Sequence, residues 1–356
     1  MKIGIVYHQF ISQGGLEKYL VGFVRALVGK GHDVEVVTAR ADEATRACGA
    51  GVLVLPGGRV KTASEFEAFD QASWDEVKRL GMDTVFGFGR TTRQDVHRAG
   101  GGCHKVYSKS LLGRRKYTRK NRVELKLEEE LYTGGGTGRF IVNAAKVKAE
   151  LETEYGVESD KISVVRTPVD TVNFAPDAEG AVRERLREFI GTAPGRKVLL
   201  YAGREHRRKG LHTLINAAAK LDAEVWVAGP KPKLITYLTS PGTVRYLGER
   251  SDMADIYRAA DWFVHPTTYD ACANTVLQSM ATGLPGIIST KDGASELVED
   301  GQSGLLLDDP MDEALLTKKL EQALAMPDAE REAMSLAARE SMMPLTWKRH
   351  LKGWGV

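Results

Sequence analysis

The segment KIGIVYHQFISQGGLEKYLVGFVRALVGKGHDVEVVTA, residues 2–39, carries the pattern that decides the fold. Residues 2–8 form an apolar run rich in Ile and Val that reads as a buried strand. Residues 16–29 then place Leu16, Tyr19, Leu20, Phe23, Val24, Leu27 and Val28 on one stripe at helical spacing. Gly29 and Gly31 stop that helix, and a second strand-like run follows at 33–39. Two strands joined through a helix need a crossover, so they lie parallel in a sheet covered by helices.

Outward from this segment the same alternation continues. Residues 51–56, 84–89, 140–144 and 162–166 read as further strands. At Arg166-Thr167-Pro168-Val169-Asp170 the pattern breaks, since Pro168 holds the residue before it extended. It then starts again, with strands at 197–203, 224–229, 244–247, 262–266, 285–289 and 304–307. The expected architecture is α/β: two Rossmann-like doubly wound domains, 1–167 and 168–343, with an interdomain cleft at the carboxyl ends of their strands. Residues 344–356, with Trp347, Leu351 and Trp354 on one side, form a short helix expected to pack back on the first domain. A chain of 356 residues suits two cores of ordinary size.

Composition narrows the class. With 42% hydrophobic and 27% charged residues, the chain has the make-up of a soluble globular protein. It has no run of ~18 apolar residues long enough to span a bilayer, and its start has no signal-peptide layout. Cys48, Cys103 and Cys272 follow no metal-ligand spacing, which fits a reduced, cytoplasmic setting. A net charge of +3 is too small to imply nucleic acid as a partner. The distribution says more: nine Lys and Arg residues lie between 105 and 126, against Glu124 alone, with apolar residues interleaved. A solvated helix face is the plain reading of a shorter cluster. This one, centred on Arg114, Arg115 and Lys116, fits an anionic membrane surface or an acidic acceptor better.

Three segments carry candidate chemistry. YDACANTVLQSMATGLPG, 269–286, follows a strand and opens a helix at about Asn274. The small residues Ala271, Cys272 and Ala273 would let an anionic phosphate approach the free N–H groups and positive dipole end of that helix. On position alone an ordinary strand–turn–helix reads the same way. YAGREHRRKG, 201–210, also lies between a strand and a helix, and crowds Arg204, Arg207, Arg208 and Lys209 into one turn. That is either a solvated basic loop or a clamp for a diphosphate. The third segment, SQGGLEK at 12–18, holds Gly14-Gly15 and could let a backbone approach a ligand, a weak signal by itself. It is not the Gly-x-Gly-x-x-Gly fingerprint of dinucleotide enzymes.

Together these motifs, with Val165–Phe174 and GASELVEDGQSGLLL at 293–307, stand in the order and spacing of the retaining family-4 glycosyltransferases. The chain resembles that family along nearly its whole length. The resemblance implies the GT-B fold and transfer of a hexose from a nucleotide diphosphate sugar with retention of configuration. It assigns Arg208 and Lys209, with Arg204, to the donor diphosphate, and the backbone of Ala271, Cys272, Ala273 and Asn274 to the distal phosphate and sugar. Gly14 and Gly15 join the donor-binding set. Asp270 falls at the first of two family glutamates, near the transferred sugar, and Gln278 at the second, which grips the ribose. The amide is a departure, because it loses a charge-assisted bond. Asp95 and His104 are implied as acceptor- or sugar-positioning groups, although a lone histidine is more often packed than catalytic. The family needs no cofactor and no metal, since the Arg/Lys clamp carries the leaving-group charge.

Within the family, VFGFG at 85–89, Asp95-Val96, Ala99, Cys103–Tyr107 and RRKG at 207–210 resemble the lipopolysaccharide-core glucosyltransferases. This subgroup implies UDP-glucose as donor, a lipid-linked glycan as acceptor, and a peripheral place on the inner face of the cytoplasmic membrane. Two other readings share the architecture: a non-hydrolysing sugar-nucleotide epimerase, and a non-catalytic sugar-nucleotide-binding protein.

Overall fold

The computed structural model describes residues 1–12, 14–110, 118–230 and 244–356. The chain divides into two compact units, Met1–Arg166 with Trp347–Val356, and Thr167–Thr346. Among the described residues no helix is long and apolar enough to cross a membrane.

The first unit holds seven strands: β1 (Lys2–Val6), β2 (Asp33–Thr38), β3 (Gly51–Val54), β4 (Thr84–Phe88), β5 (Gln94–Arg98), β6 (Thr137–Val142) and β7 (Ile162–Val164). They are parallel and ordered β3-β2-β1-β4-β5-β6-β7, so the sheet reverses its winding between β1 and β4. Helices α1 (Gly15–Gly29), α2 (Glu43–Arg46), α3 (Ala63–Leu80), α4 (His104–Ser110), α5 (Arg119–Thr133) and α6 (Ala145–Tyr155) accompany it. The stripe expected on α1 is its buried face, with Leu20, Phe23, Val24 and Leu27 fully out of solvent against Ile3 and Ile5. Strand β5 departs from the sequence reading, which placed no strand at 94–98. Gln94, His97 and Arg98 are buried there, and Gln94 Nε2 donates to Thr137 Oγ1 at 2.6 Å. Only Val96 of its buried side chains is apolar, so the strand shows no hydrophobic period.

The second unit begins with α7 (Ala181–Ile190), followed by β8 (Lys197–Ala202), α8 (Leu211–Ala218), β9 (Ala223–Ala228), β10 (Val244–Gly248), α9 (Met253–Ala259), β11 (Trp262–His265), α10 (Asn274–Ala281), β12 (Gly286–Ser289), β13 (Leu305–Leu307), α11 (Glu313–Leu324) and α12 (Asp328–Met342). Its six strands are parallel in the order β10-β9-β8-β11-β12-β13, reversing between β8 and β11. One core packs Trp226, Phe263, Val276 and Met280, and another packs Leu199, Trp262, Ile287 and Leu316 on the opposite side of the strands.

The last helix, α13 (Trp347–Trp354), belongs to the first unit. Trp354 is buried, with ring centroids 4.5 Å from Phe23 and 4.9 Å from Phe86. His350 Nδ1 donates to Arg166 O at 2.7 Å, and its Nε2 accepts from Tyr19 Oη at 2.6 Å and Trp354 Nε1 at 3.0 Å. Those bonds fix the imidazole as neutral, and burial, then Arg98, lowers its pKa to about 3. Helix α1 comes so close that a Cβ on Gly22 would lie 2.5 Å from Trp347 Cζ2.

Candidate functional site

Each sheet reverses its winding at one point, and ligands of doubly wound sheets bind outside the carboxyl ends of the strands at that point. In the second unit this is the space beyond β8 and β11. The turn 203–210 leaves β8 and the segment 266–273 leaves β11. They are stitched together by Thr268 N, which donates to Arg208 O at 2.8 Å. Gly210 is required at the seam: its φ is +69°, and a Cβ there would sit 2.1 Å from Pro266 O.

Arg208 and Lys209 both reach Asp270, Arg208 Nη1 at 3.0 Å and Lys209 Nζ at 3.2 Å from Oδ2. Arg208 is further fixed by Glu205 Oε2, which accepts from its Nε at 2.7 Å, and by the carbonyl of Tyr269. Burial would raise the Asp270 carboxyl, but Lys209, His265 and Arg208 outweigh it and hold it well below the usual range. Burial alone would lower the Arg208 guanidinium, whereas Asp270 and Glu205 raise it. Arg208 and Lys209 thus stand against two carboxylates, Asp270 and Glu205, which hold both cations in fixed positions where an incoming anion could meet them.

Helix α10 starts beside this cluster. Its N-cap residue, Ala273, supplies no side-chain acceptor for the first turn. The cap region is instead held from behind: Asp292, fully buried, accepts from Ala273 N at 3.1 Å and Ala294 N at 2.9 Å through Oδ1. Thr275 Oγ1, in the first turn, is buried with no hydrogen-bond partner among the described residues. One turn later, Gln278 Oε1 accepts from Tyr257 Oη at 3.4 Å. Thus Arg208, Lys209, Asp270, Ala271, Cys272, Ala273, Asn274 and Gln278 all lie at this end of the second unit. Arg204 does not join the cluster, because it is exposed and pairs with Glu249 at 2.8 Å.

The sequence reading missed His265 and Asp292. His265 Nε2 lies 3.2 Å from Asp292 Oδ2 and 3.8 Å from Asp270 Oδ2, without the alignment of a hydrogen bond to either. The three residues are close enough to ligate a cation. Arg208 and Lys209, however, already crowd Asp270 Oδ2, which disfavours another positive charge.

In the first unit, the ends of β1, β4 and β5 open on a cavity of about 520 Å³ whose lining includes His8, Arg90, His97 and His104. His104 is buried there, with Nε2 2.7 Å from Asn121 Oδ1 and 3.1 Å from Glu124 Oε2. Burial lowers its pKa, Arg90 lowers it further and Glu124 opposes both. Asp95, expected with His104 to position acceptor or sugar, does not share the His104 setting. It is exposed near the amino end of β5, where Oδ2 accepts from Val85 N at 2.7 Å, and it is absent from the cavity lining. Gly14 is the N-cap residue of α1 and Gly15 its first residue. Arg114, Arg115 and Lys116 lie outside the described residues.

With this geometry in place, likenesses to known proteins are informative. The family model for Glycosyltransferase Family 4 matches residues 13–173, and that for Glycosyl transferases group 1 matches residues 196–326. The D-inositol 3-phosphate glycosyltransferase of Corynebacterium urealyticum is 31% identical over 233 residues, which cover 60% of this chain and 54% of that protein. The chain thus spans about half the length of the first curated relatives it matches. Lipopolysaccharide glucosyltransferase WaaG of Escherichia coli K12 is 22% identical over 344 residues, 91% of this chain and 90% of that one. The crystal structure of WaaG superposes with a TM-score of 0.85 at 20% identity, covering 99% of this chain and 98% of the other. Anabaena HepE in complex with UDP-glucose gives 0.75 at 17%, covering 100% and 98%. The fold is therefore GT-B, and the chain belongs to the group 1 and family 4 glycosyltransferases.

Proposed function

We propose that the protein transfers glucose from UDP-glucose to a membrane-associated glycan such as the lipopolysaccharide core, with retention of configuration. One observation carries this reading: Arg208 and Lys209 are held on Asp270 beside a helix start that no side chain caps. A nucleotide diphosphate would replace solvent at those cations, and they would offset the charge that grows on it as the sugar departs. The backbone of 271–274 would take the distal phosphate and Gln278 the ribose. No metal has a role in this scheme.

Support for the donor comes from HepE, solved with UDP-glucose, and for the acceptor from WaaG, named for lipopolysaccharide. The cations at 105–126 would hold the protein on the inner face of the cytoplasmic membrane. Thermal-shift titration with UDP-glucose, UDP-galactose and GDP-glucose tests the donor: UDP-glucose alone should give a saturable rise in Tm. A preference for GDP-glucose, or no rise with any of the three, would refute it. Co-sedimentation should favour anionic over neutral vesicles and weaken with salt. Equal binding to both would remove the membrane part.

A further inference from the structure

Behind the cations of the second unit lie two buried groups that the transfer scheme leaves without a role. His265 ends β11 and is fully buried, its ring nearly parallel to that of Phe263 at a centroid distance of 5.8 Å. Neither of its nitrogens has a hydrogen-bond partner among the described residues. Asp292, fully buried just after β12, is only half satisfied. Its Oδ1 accepts from Ala273 N and Ala294 N, while Oδ2 has no hydrogen bond among the described residues. Buried polar groups are nearly always paired, because an unpaired one gives up its hydration and gains nothing in return. These two stand 3.2 Å apart, Nε2 to Oδ2.

One of the pair needs a donor and the other can supply it. The same Nε2 also faces Asp270 Oδ2, at 3.8 Å, but that oxygen already has Arg208 and Lys209. Asp292 is therefore the carboxylate that lacks a partner. The χ2 torsion of a histidine is broad, so a small turn of the ring aligns the bond at little cost. The backbone keeps the groups together: Asp270 N donates to Lys291 O at 3.2 Å and Gly293 N to Asp270 O at 3.1 Å, bridging the segments that follow β11 and β12. We propose that His265 is a positioning residue for the distal phosphate of the donor: its Nε2–H donates to Asp292 Oδ2, and Asp292 in turn fixes the uncapped start of α10 through Ala273 N. The role rests on the donor reading above, which sets that phosphate against the backbone of 271–274. His265 acts at one remove from the phosphate, through the carboxylate that anchors the helix start. Without the imidazole N–H, Oδ2 is left buried and unpaired, and the carboxylate can turn to another donor only by giving up Ala273 and Ala294.

Two measurements on the whole protein test this. With the histidines labelled with 15N, a long-range proton–nitrogen correlation on the wild-type protein reads which ring nitrogen carries the proton. The His265 signals, assigned by their loss in His265→Gln, should show a protonated Nε2; a bare Nε2 overturns the proposal. Calorimetry then compares UDP with UMP, which lacks the distal phosphate. His265→Phe keeps a ring against Phe263 and removes the donor, so it should weaken UDP about tenfold and leave UMP within about twofold. His265→Gln, which keeps an N–H for Asp292, should bind UDP within about threefold of the wild type. The proposal is also overturned if folded His265→Phe binds UDP as the wild type does, or if UMP is weakened as much as UDP. Should His265→Phe fail to fold, the nitrogen signals of the wild-type protein decide alone. A wild-type protein that bound neither nucleotide would bring down the donor reading and this role with it, whereas UDP binding that ignores His265 overturns this role only.

Discussion

Lys209 keeps only 13% of its side chain exposed while sharing Asp270 Oδ2 with Arg208. Removing it should leave a bound diphosphate short of one charge-assisted bond, so Lys209→Ala should cost ~2 kcal/mol or more in UDP affinity. Calorimetry reads the loss, and an unchanged Tm would show that the turn still folds. Unaltered UDP affinity would dissociate Lys209 from the diphosphate. Gln278→Glu should keep or improve nucleotide affinity, since a carboxylate accepts from both ribose hydroxyls and can still accept from Tyr257 Oη. A collapse of binding would mean that the amide makes some other contact. Arg208, Lys209 and the 269–286 segment were legible because loops at strand ends carry their charges and small residues openly. His265 was not, because it ends the apolar run Trp262–His265 and reads as core. Asp292 is joined to Ala273 only through the fold. Arg90 did leave a signal, a cation one glycine beyond the strand Thr84–Phe88, but only the sheet order shows that this end faces the cavity.

Helix α1 and helix α13 meet over Gly22, and that contact separates two effects of one substitution. Alanine favours a helix by ~1 kcal/mol over glycine. At Gly29, where no atom lies within 4 Å of a built Cβ, Gly29→Ala should stabilise by up to that amount. At Gly22 the new methyl would meet Trp347 at 2.5 Å, so Gly22→Ala should destabilise by ~1–3 kcal/mol instead. Chemical denaturation of the two variants checks the opposite signs, and two gains would show that α13 yields freely. Elements were legible wherever burial is apolar. The α1 stripe follows the helical period and the strands of the second unit were read from short apolar runs, whereas β5 offers neither. Its buried residues are Gln94, Val96, His97 and Arg98, and the burial of the three polar ones depends on neighbours distant in sequence.

At the scale of the molecule, neutral buried histidines concentrate in one unit. His8, His97 and His350 are all in the first, with pKa values lowered by burial to between about 3 and 4. The unfolded chain binds these protons near pH 6.5 while the folded unit refuses them, so stability is full above pH 6.5 and falls as pH drops toward 4. Each group contributes up to ~1.4 kcal/mol per pH unit within that window. Hydrogen exchange between pH 7 and 4.5 should therefore show the first unit loosening before the second, and His350→Gln should flatten its slope. Equal loosening of both units would contradict this account. The chain path through α13 has a consequence for how the protein is made. Residues 1–166 leave the ribosome with Phe23 and Phe86 still uncovered, and the whole second unit must follow before Trp354 arrives to cover them. The first unit to be synthesised is therefore the last to be finished. During translation it presents an aromatic surface that a chaperone could shield, and a stop codon placed before Trp347 would leave that surface open permanently.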